Sequence, residues 1–339
     1  MFGGTEDKVI KTLKSIALSI VAMGALAGAA GAQDLKFGAM PLNTWWYVAG
    51  ASIAGLVQPH LPPGGRIEVL ARGGGIANPV VVNDNKAQIG MSNVATSKWA
   101  WDGEQELYKG RKHQDIRSLV GGINSVWVVA MLREEYIART GNDSVEKALA
   151  DRNIRIIMKP AGSSVPPAAR MIAESLGTSL EKLRAGGAQL IQVDAAQTTA
   201  MLREGRADLY FETATRGHPA VTEVTITTPM RFVDLPDKAL KVMADRGLKP
   251  TPMPEWFKGQ KGPTRGADLG THIIAHKNVP DDIAYLVTKL VVENKDKLVE
   301  RHKAWSDFNP NDAWKPENNA VPLHPGAAKY YRERGWLKG

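Results

Sequence analysis

Polar and glycine-rich turns follow several apolar strands predicted from this 339-residue sequence, and they hold the residues best suited to chemistry. Gly162, Ser163 and Ser164 lie between a strand predicted over 154–158 and a helix predicted over 166–176. Backbone N–H groups and hydroxyls at the positive end of a helix favour an anion. We therefore expect these three residues to bind an acid; an ordinary serine-capped turn is the alternative.

A second turn contains three consecutive glycines next to a cation. Arg72 has the planar, two-pronged donor geometry that suits a carboxylate, and Gly74 and Gly75 allow the backbone to approach a bound group closely. Asn78 can contact the same ligand or can cap a helix that has Pro79 at its first position. The glycines lack the spacing of the nucleotide-binding motifs.

Further candidate ligand residues follow the predicted strands over 35–40, 88–92 and 207–211. They are Leu42, Asn43, Thr44, Trp45, Trp46, Ser92, Asn93, Thr213, Thr215 and Arg216. The alternative for the polar residues is helix capping, and for the aromatic residues it is core packing. The paired tryptophans favour a bulky or apolar acid. His218 either donates to a carboxylate or lies on the surface before a helix.

Catalytic and metal-binding motifs are weak in this sequence. The motifs H-E-x-x-H and G-x-S-x-G are absent, and the absence of cysteine excludes disulfides and thiolate ligands. His272 and His276 share one side of a predicted strand with Asp268 nearby, which is either a metal site or a coincidence at a strand end. We expect a binding protein without a cofactor or a metal, and not an enzyme.

The elements that must position these turns alternate between short apolar strands and helices from residue 33 onward. This alternation predicts parallel sheets with helical crossovers, arranged as two α/β lobes. Ligands bind beyond the carboxyl ends of such strands. We predict lobe I over 33–125 and 268–339 and lobe II over 126–267, with strand crossings at Val126–Val129 and Leu269–Ile274. Residues 251–266, rich in proline, glycine and lysine, predict an irregular excursion.

The N-terminal 32 residues are typical of a signal peptide. Three lysines precede an apolar stretch over 16–26, and Ala30-Gly31-Ala32 provides a small-residue cleavage site. An uncleaved anchor is the alternative. Removal would lower the net charge from +8 to +7, because the segment carries three lysines and two acids. Since the remaining basic residues are interleaved with acids, we expect a solvated surface and no nucleic-acid partner. The mature chain should be soluble and periplasmic.

These turns resemble those of the TAXI family of TRAP-transporter solute receptors over nearly all the mature chain. Gly74–Asn78 is similar to the family motif G-S-x-x-N, with Gly75 in place of serine, and Lys159–Ser164 resembles the start of G-x-x-G-S-G-T. Similar stretches are Gly38–Tyr47, Ala87–Ala95, Gly217–Ala220 and the C-terminal His324–Gly335.

The resemblance implies a type II periplasmic-binding fold with two α/β lobes, a cleft and strand hinges. It also implies capture of a small organic acid, such as an amino acid or a dicarboxylic acid, and delivery to TRAP membrane subunits driven by an ion gradient. The departures from the motifs leave the usual ligand open. The alternatives are a solute sensor for a membrane signalling protein and an exported hydrolase.

Overall fold

The computed structural model of the protein describes residues 34–42 and 44–338. The predicted signal peptide at 1–32 and the candidate residue Asn43 lie outside these described residues. Within them, no helix combines the length and the apolar character that crossing a membrane requires.

Two β-sheets organise the chain, and the first, sheet A, has the strand order β2-β1-β3-β12-β4. Its strands are β1 (Asp34–Gly38), β2 (Arg66–Leu70), β3 (Ile89–Asn93), β4 (Ile116–Val120) and β12 (Thr271–His276). β1 is parallel to β2 and β3, whereas β12 is antiparallel to β3 and β4. All residues of β3 and β12 are buried, as expected for strands covered on both faces.

The second sheet, sheet B, has the order β10-β11-β5-β8-β6-β7, with β9 paired to β5. Its strands are β5 (Trp127–Arg133), β6 (Arg155–Met158), β7 (Gln189–Gln192), β8 (Leu209–Ala214), β9 (Met230–Val233), β10 (Lys249–Met253) and β11 (Thr264–Asp268). β6 is parallel to β7 and β8, and β5 is antiparallel to β8, β9 and β11. We call sheet A with its helices lobe I and sheet B with its helices lobe II.

Helices connect the strands and cover both sheets. Those preceding β6 are α1 (Trp45–Val57), α2 (Ala77–Asn83), α3 (Val94–Asp102), α4 (Gln105–Tyr108), α5 (Glu134–Thr140) and α6 (Val145–Ala150). Those following it are α7 (Val165–Ser175), α8 (Leu180–Ala185), α9 (Ala195–Arg203), α10 (Pro219–Thr227), α11 (Asp237–Asp245), α12 (Asp281–Glu293), α13 (Lys295–Arg301) and α14 (Pro325–Glu333). The apolar periodicity of α12 buries Ile283, Val287 and Val291. Two aspartates in its first turn stabilise the helix, because their negative charges lie at the positive end of the helix dipole.

The prediction of parallel sheets holds for part of each sheet, because each contains parallel pairs together with antiparallel ones. β5 and β12 are the first strands after the chain passes from one sheet to the other. Each inserts between two strands of its new sheet and runs against them. Local periodicity identifies a strand but does not encode its direction, so this feature is invisible in the sequence pattern.

The predicted irregular excursion at 251–266 is also partly wrong. Its ends form an antiparallel pair in which Met253 lies opposite Thr264 and Thr251 opposite Gly266. Pro250 and Pro252 are tolerated because β10 is the edge strand of sheet B, so missing N–H donors interrupt fewer ladder bonds.

The chain passes between the sheets twice, at residues 121–126 and 269–270. The predicted crossings, Val126–Val129 and Leu269–Ile274, overlap the ends of these links and extend into β5 and β12. Both links are tied together: Leu269 N donates to Val126 O at 2.9 Å, and Asp268 Oδ1 accepts from the N–H groups of Val126 and Gly270. These two adjacent links form the hinge.

Each lobe has its own apolar core, but α3 and α4 pack across the boundary. Trp99 and Tyr108 belong to the same buried cluster as Leu240 and Met243 of lobe II. The indole of Trp99 also donates to Arg246 O at 2.7 Å. The polar and charged segment 102–114 therefore includes the short helix α4, which packs between the two lobes.

Candidate functional site

A cavity lies between the two lobes, at the carboxyl ends of β1, β3, β6 and β8, and its volume is about 30 Å³. This is the position where open α/β sheets bind ligands. Lobe I contributes loops before α1 and α2 and the end of β3, and lobe II contributes the loops after β6 and β8. The cavity is lined by Met40, Thr44, Trp45, Trp46, Gly75, Asn93, Val126, Lys159, Ser163, Ser164, Thr213, Thr215 and His218.

Most of the sequence-predicted ligand residues line this cavity. They are Thr44, Trp45, Trp46, Gly75, Asn93, Ser163, Ser164, Thr213 and Thr215. Sequence reasoning left Met40, Val126 and Lys159 out of the ligand set and left His218 undecided. The signal for Lys159 was present, since it is the first residue after β6 and precedes the serine turn.

Other predicted residues lie close to the cavity without lining it. They are Leu42, Arg72, Gly74, Asn78, Ser92, Gly162 and Arg216. The side chain of Leu42 is 58% exposed, and Arg72 is also exposed. Ser92 is buried, and its hydroxyl lies 2.7 Å from the hydroxyl of Ser97 within lobe I.

Asn78 does not cap α2, which begins one residue earlier at Ala77. The buried amide of Asn78 instead accepts from Gly74 N at 3.1 Å and donates to Ala39 O at 2.7 Å and Met91 O at 2.9 Å. It therefore joins the loops that follow β1 and β2 to strand β3 and fixes the lobe I side of the cavity.

The loop before α2 and the loop before α7 contact each other directly across the cleft. Gly162 O accepts from the N–H groups of Ile76 and Ala77, both at 3.1 Å. A backbone carbonyl of lobe II thus satisfies N–H groups at the N-terminus of α2. At Gly74, whose φ is +152°, a Cβ atom would lie 2.7 Å from Gly162 O. Close approach of the two lobes therefore requires glycine at this position. We call this arrangement, in which the lobes touch across the cleft, the closed one.

Lys159 is the cation in the cavity wall, and Glu212 lies behind it. The ammonium is 2.5 Å from Glu212 Oε1, and the two side chains are 7% and 0% exposed. Glu212 also accepts from Tyr210 Oη and from Thr213 N. Burial acts to raise the pKa of the Glu212 carboxyl, but the Lys159 charge and the hydrogen bonds from Lys159 and Tyr210 hold the pKa below its ordinary value.

His218 is a neutral donor in the same wall. Burial, with a further contribution from the Lys159 charge, lowers the pKa of His218 to about 4. Its Nδ1 accepts from Val221 N at 3.3 Å, so the proton of the neutral ring is on Nε2. This assignment leaves His218 as an N–H donor without a charge.

The serine turn before α7 differs from the predicted helix-end anion site. The helix begins at Val165, and Pro166 and Pro167 follow directly. Proline has no N–H group, so this helix end offers fewer backbone donors than expected. Ser164 makes no side-chain capping bond, and it lines the cavity. Hydroxyls and Lys159 therefore carry most of the donor capacity of this wall.

Arg216 links the two lobes at the edge of the cleft. Its guanidinium lies 3.2 Å from Asp307 of lobe I and 4.7 Å above the ring of Trp256 in lobe II. Both contacts engage the guanidinium charge, which was predicted from the sequence to bind a ligand.

The metal hypothesis for His272 and His276 finds no support in the part of the chain that the structure describes, where no three potential ligands come together. His272 is fully buried in lobe I, with Ser97 Oγ 2.7 Å from Nε2 and Ser118 Oγ 3.2 Å from Nδ1. Burial lowers the pKa of His272 to about 3. The ring is a hydrogen-bonded core histidine.

Solved structures with a similar fold have little sequence identity to this chain. A periplasmic transporter has 9% identity and a TM-score of 0.51, with 91% of this chain and 96% of that chain covered. A protein from Bordetella bronchiseptica RB50 has 13% identity and a TM-score of 0.50, with 88% of each chain covered. The alkanesulfonate-binding protein SsuA from Xanthomonas axonopodis pv. citri, bound to MOPS, has 11% identity and a TM-score of 0.45, covering 92% and 96%.

The fold is thus mixed α/β with two sheets, and it is similar to the fold of the periplasmic transporter. A family model also matches the sequence over residues 37–335, which span both lobes, the hinge and the cavity. The chain belongs to the NMT1-like family.

Proposed function

We propose that this protein is an exported periplasmic receptor that captures a small organic acid between its lobes and delivers it to a TRAP-type membrane transporter. The finer membership in the TAXI family belongs to the same proposal, as do the signal peptide and the TRAP subunits as partners. The observation that carries it is a cavity shared by two lobes, with the buried Lys159 and several hydroxyls in its wall.

The charge of the wall favours an anion with a single negative charge. The ammonium of Lys159 can contact one carboxylate of a ligand, although Glu212 already balances the Lys159 charge. A second ligand carboxylate would find no further cation among the lining residues. Neutral donors such as His218 Nε2 and Ser164 Oγ complete the recognition of one acid group. We therefore expect monocarboxylates to bind better than dicarboxylates.

The size of the cavity favours a small ligand. One water molecule needs roughly 10–15 Å³ of such space, and the closed cavity offers about 30 Å³. The paired tryptophans had favoured a bulky acid, but they fill the space that such an acid would need. Trp45 is held in place by Asn124, and its ring lies 4.5 Å from that of His302, which makes a rotation costly.

Receptor function is favoured over hydrolysis. A hydrolase needs an accessible nucleophile beside a base. Among the described residues, Ser97 and His272 are hydrogen-bonded but fully buried away from the cavity. His218, which lines the cavity with Ser163 and Ser164, has its Nδ1 occupied by Val221 N and its proton on Nε2, so it offers no free basic nitrogen. A sensor for a membrane signalling protein would bind its solute in the same way, and co-purification of the membrane partner distinguishes the two.

Mass spectrometry of small molecules released from gently purified protein tests the proposal. We expect a short monocarboxylic acid, which when added back raises the melting temperature in proportion to the logarithm of its concentration. A panel of matched mono- and dicarboxylic acids is the control for charge. The proposed function would be contradicted if no acid of the panel raised the melting temperature and no acid were released from the purified protein.

A further inference from the structure

The side chain of Asn124 connects the hinge to both walls of the cavity. Asn124 lies in the first interlobe link, and it is 5% exposed. Its Oδ1 accepts from Trp45 Nε1 at 3.2 Å, and its Nδ2 donates to Thr215 Oγ1 at 2.6 Å. Trp45 lines the cavity from lobe I, and Thr215 lines it from lobe II.

Both partners of Asn124 are buried and have limited freedom. Trp45 is 3% exposed and packs edge-on against Trp305 at 5.4 Å, whereas Thr215 is 1% exposed. A buried carboxamide that loses either partner leaves an unsatisfied polar group, which is unfavourable. When the lobes separate, Asn124 cannot stay within hydrogen-bond distance of both.

The loop that Thr215 begins receives two more contacts from lobe I. Arg216 pairs with Asp307, and the position of a Cβ on Gly217 would lie 3.8 Å from the ring of His302. The next residue, His218, lines the cavity. The loop at 215–218 is thus held by the hinge and by lobe I in the described arrangement.

We propose that Asn124 is a positioning residue that couples hinge closure to the cavity, by joining Trp45 and Thr215 when the lobes close. The carboxamide aligns the two walls before a ligand arrives and prolongs the closed state after binding. Ligand affinity then depends on the fraction of closed protein. This role rests on the proposed receptor function, but closure itself can be measured without a ligand.

Single-molecule energy transfer between the lobes tests the coupling. The chain has no cysteine, so Glu181→Cys in lobe II and Glu300→Cys in lobe I provide exposed attachment points for two dyes. In unliganded protein, Asn124→Leu should lower the ratio of closed to open molecules about tenfold, which corresponds to the net loss of one or two hydrogen bonds. Thr215→Val should act in the same direction.

Gln260→Met is the matched control. Gln260 is a buried amide whose bonds, to Trp256, Phe257, Pro254 and Thr264, all lie within lobe II. We expect it to lower the melting temperature without changing the closed fraction. With the acid identified by mass spectrometry, Asn124→Leu should weaken binding up to tenfold through faster dissociation, with the association rate nearly unchanged.

An unchanged closed fraction in Asn124→Leu, or an equal change in Gln260→Met, would overturn the coupling. Failure of the proposed function has a different signature. In that case the wild-type protein binds no acid, while the variant still shifts the closed fraction of the unliganded protein.

Discussion

Lys159 and Glu212 set the charge of the cavity wall at the scale of single residues. The pair is buried, hydrogen-bonded and close to the ligand space. A buried ion pair contributes little net stability, but removing one partner leaves an uncompensated charge. The pair therefore allows the structural role of Lys159 to be separated from its role in binding.

Replacement of Lys159 by methionine should lower the free energy of unfolding by about 3–5 kcal/mol, because Glu212 would remain buried without a cation. The double variant Lys159→Met/Glu212→Gln should recover most of this stability and still fail to bind an acid. Urea denaturation and calorimetric titration measure the two effects. Full acid affinity in the double variant would show that Lys159 does not contact the ligand.

Buried histidines should make the protein less stable in mild acid. His218 and His272 remain neutral in the folded protein down to pKa values of about 4 and about 3, because both are buried. The unfolded chain takes up these protons near pH 6.5. Between those pH values the unfolded state binds more protons, so the free energy of unfolding falls as the pH falls.

Each of these two histidines should contribute a slope approaching about 1.4 kcal/mol per pH unit below pH 6. Urea denaturation between pH 4.5 and 7.5 measures the slope, and His272→Gln should flatten it. The same substitution at the exposed His60 serves as the control. Parallel curves for the wild type and His272→Gln would contradict this explanation.

Local chemistry identified many cavity residues but not their partners. Ser163, Thr213 and Thr215 were predicted because polar residues directly follow apolar strands, and all three line the cavity. The importance of Lys159 was missed because its partner Glu212 lies more than 50 residues away. Arg216 was assigned to a ligand because its partner Asp307 lies even further away in sequence.

At the scale of elements, the turn before α2 and the turn before α7 define the closed cleft. They meet through Gly162 O and the first N–H groups of α2. The sequence predicted both turns and their convergence on one gap. It did not predict that they hydrogen-bond to each other, because such a contact depends on the relative position of two sheets.

Gly74→Ala should prevent full closure. The added methyl group would lie 2.7 Å from Gly162 O and 3.0 Å from Ser163 Cα, both backbone atoms of the other lobe. We expect acid affinity to fall at least tenfold and the radius of gyration to rise. Gly177→Ala is the matched control, because Gly177 also has a positive φ, of +80°, but a Cβ there meets nothing within 4 Å. Equal effects of both substitutions on affinity would indicate backbone strain instead of a blocked cleft.

At the scale of the whole molecule, the closed arrangement is held along its rim as well as at the hinge. Trp99 and Glu104 of lobe I both contact Arg246 of lobe II, and Glu106 pairs with Arg170. Exposed ion pairs contribute little individually, so the buried indole of Trp99 and the hinge contacts should dominate. Strand and helix alternation predicted the two lobes and the two crossings, whereas the antiparallel direction of β5 and β12 is revealed only by the three-dimensional structure.

A crystal structure of the protein with the acid that it binds most tightly is the most direct test of the interlobe site. We predict one carboxylate within hydrogen-bond distance of Lys159 Nζ and Ser164 Oγ, with Trp45 of lobe I and Thr215 of lobe II closing over the same molecule. An acid bound elsewhere on the protein at saturating concentration, with this cavity unchanged, would contradict it.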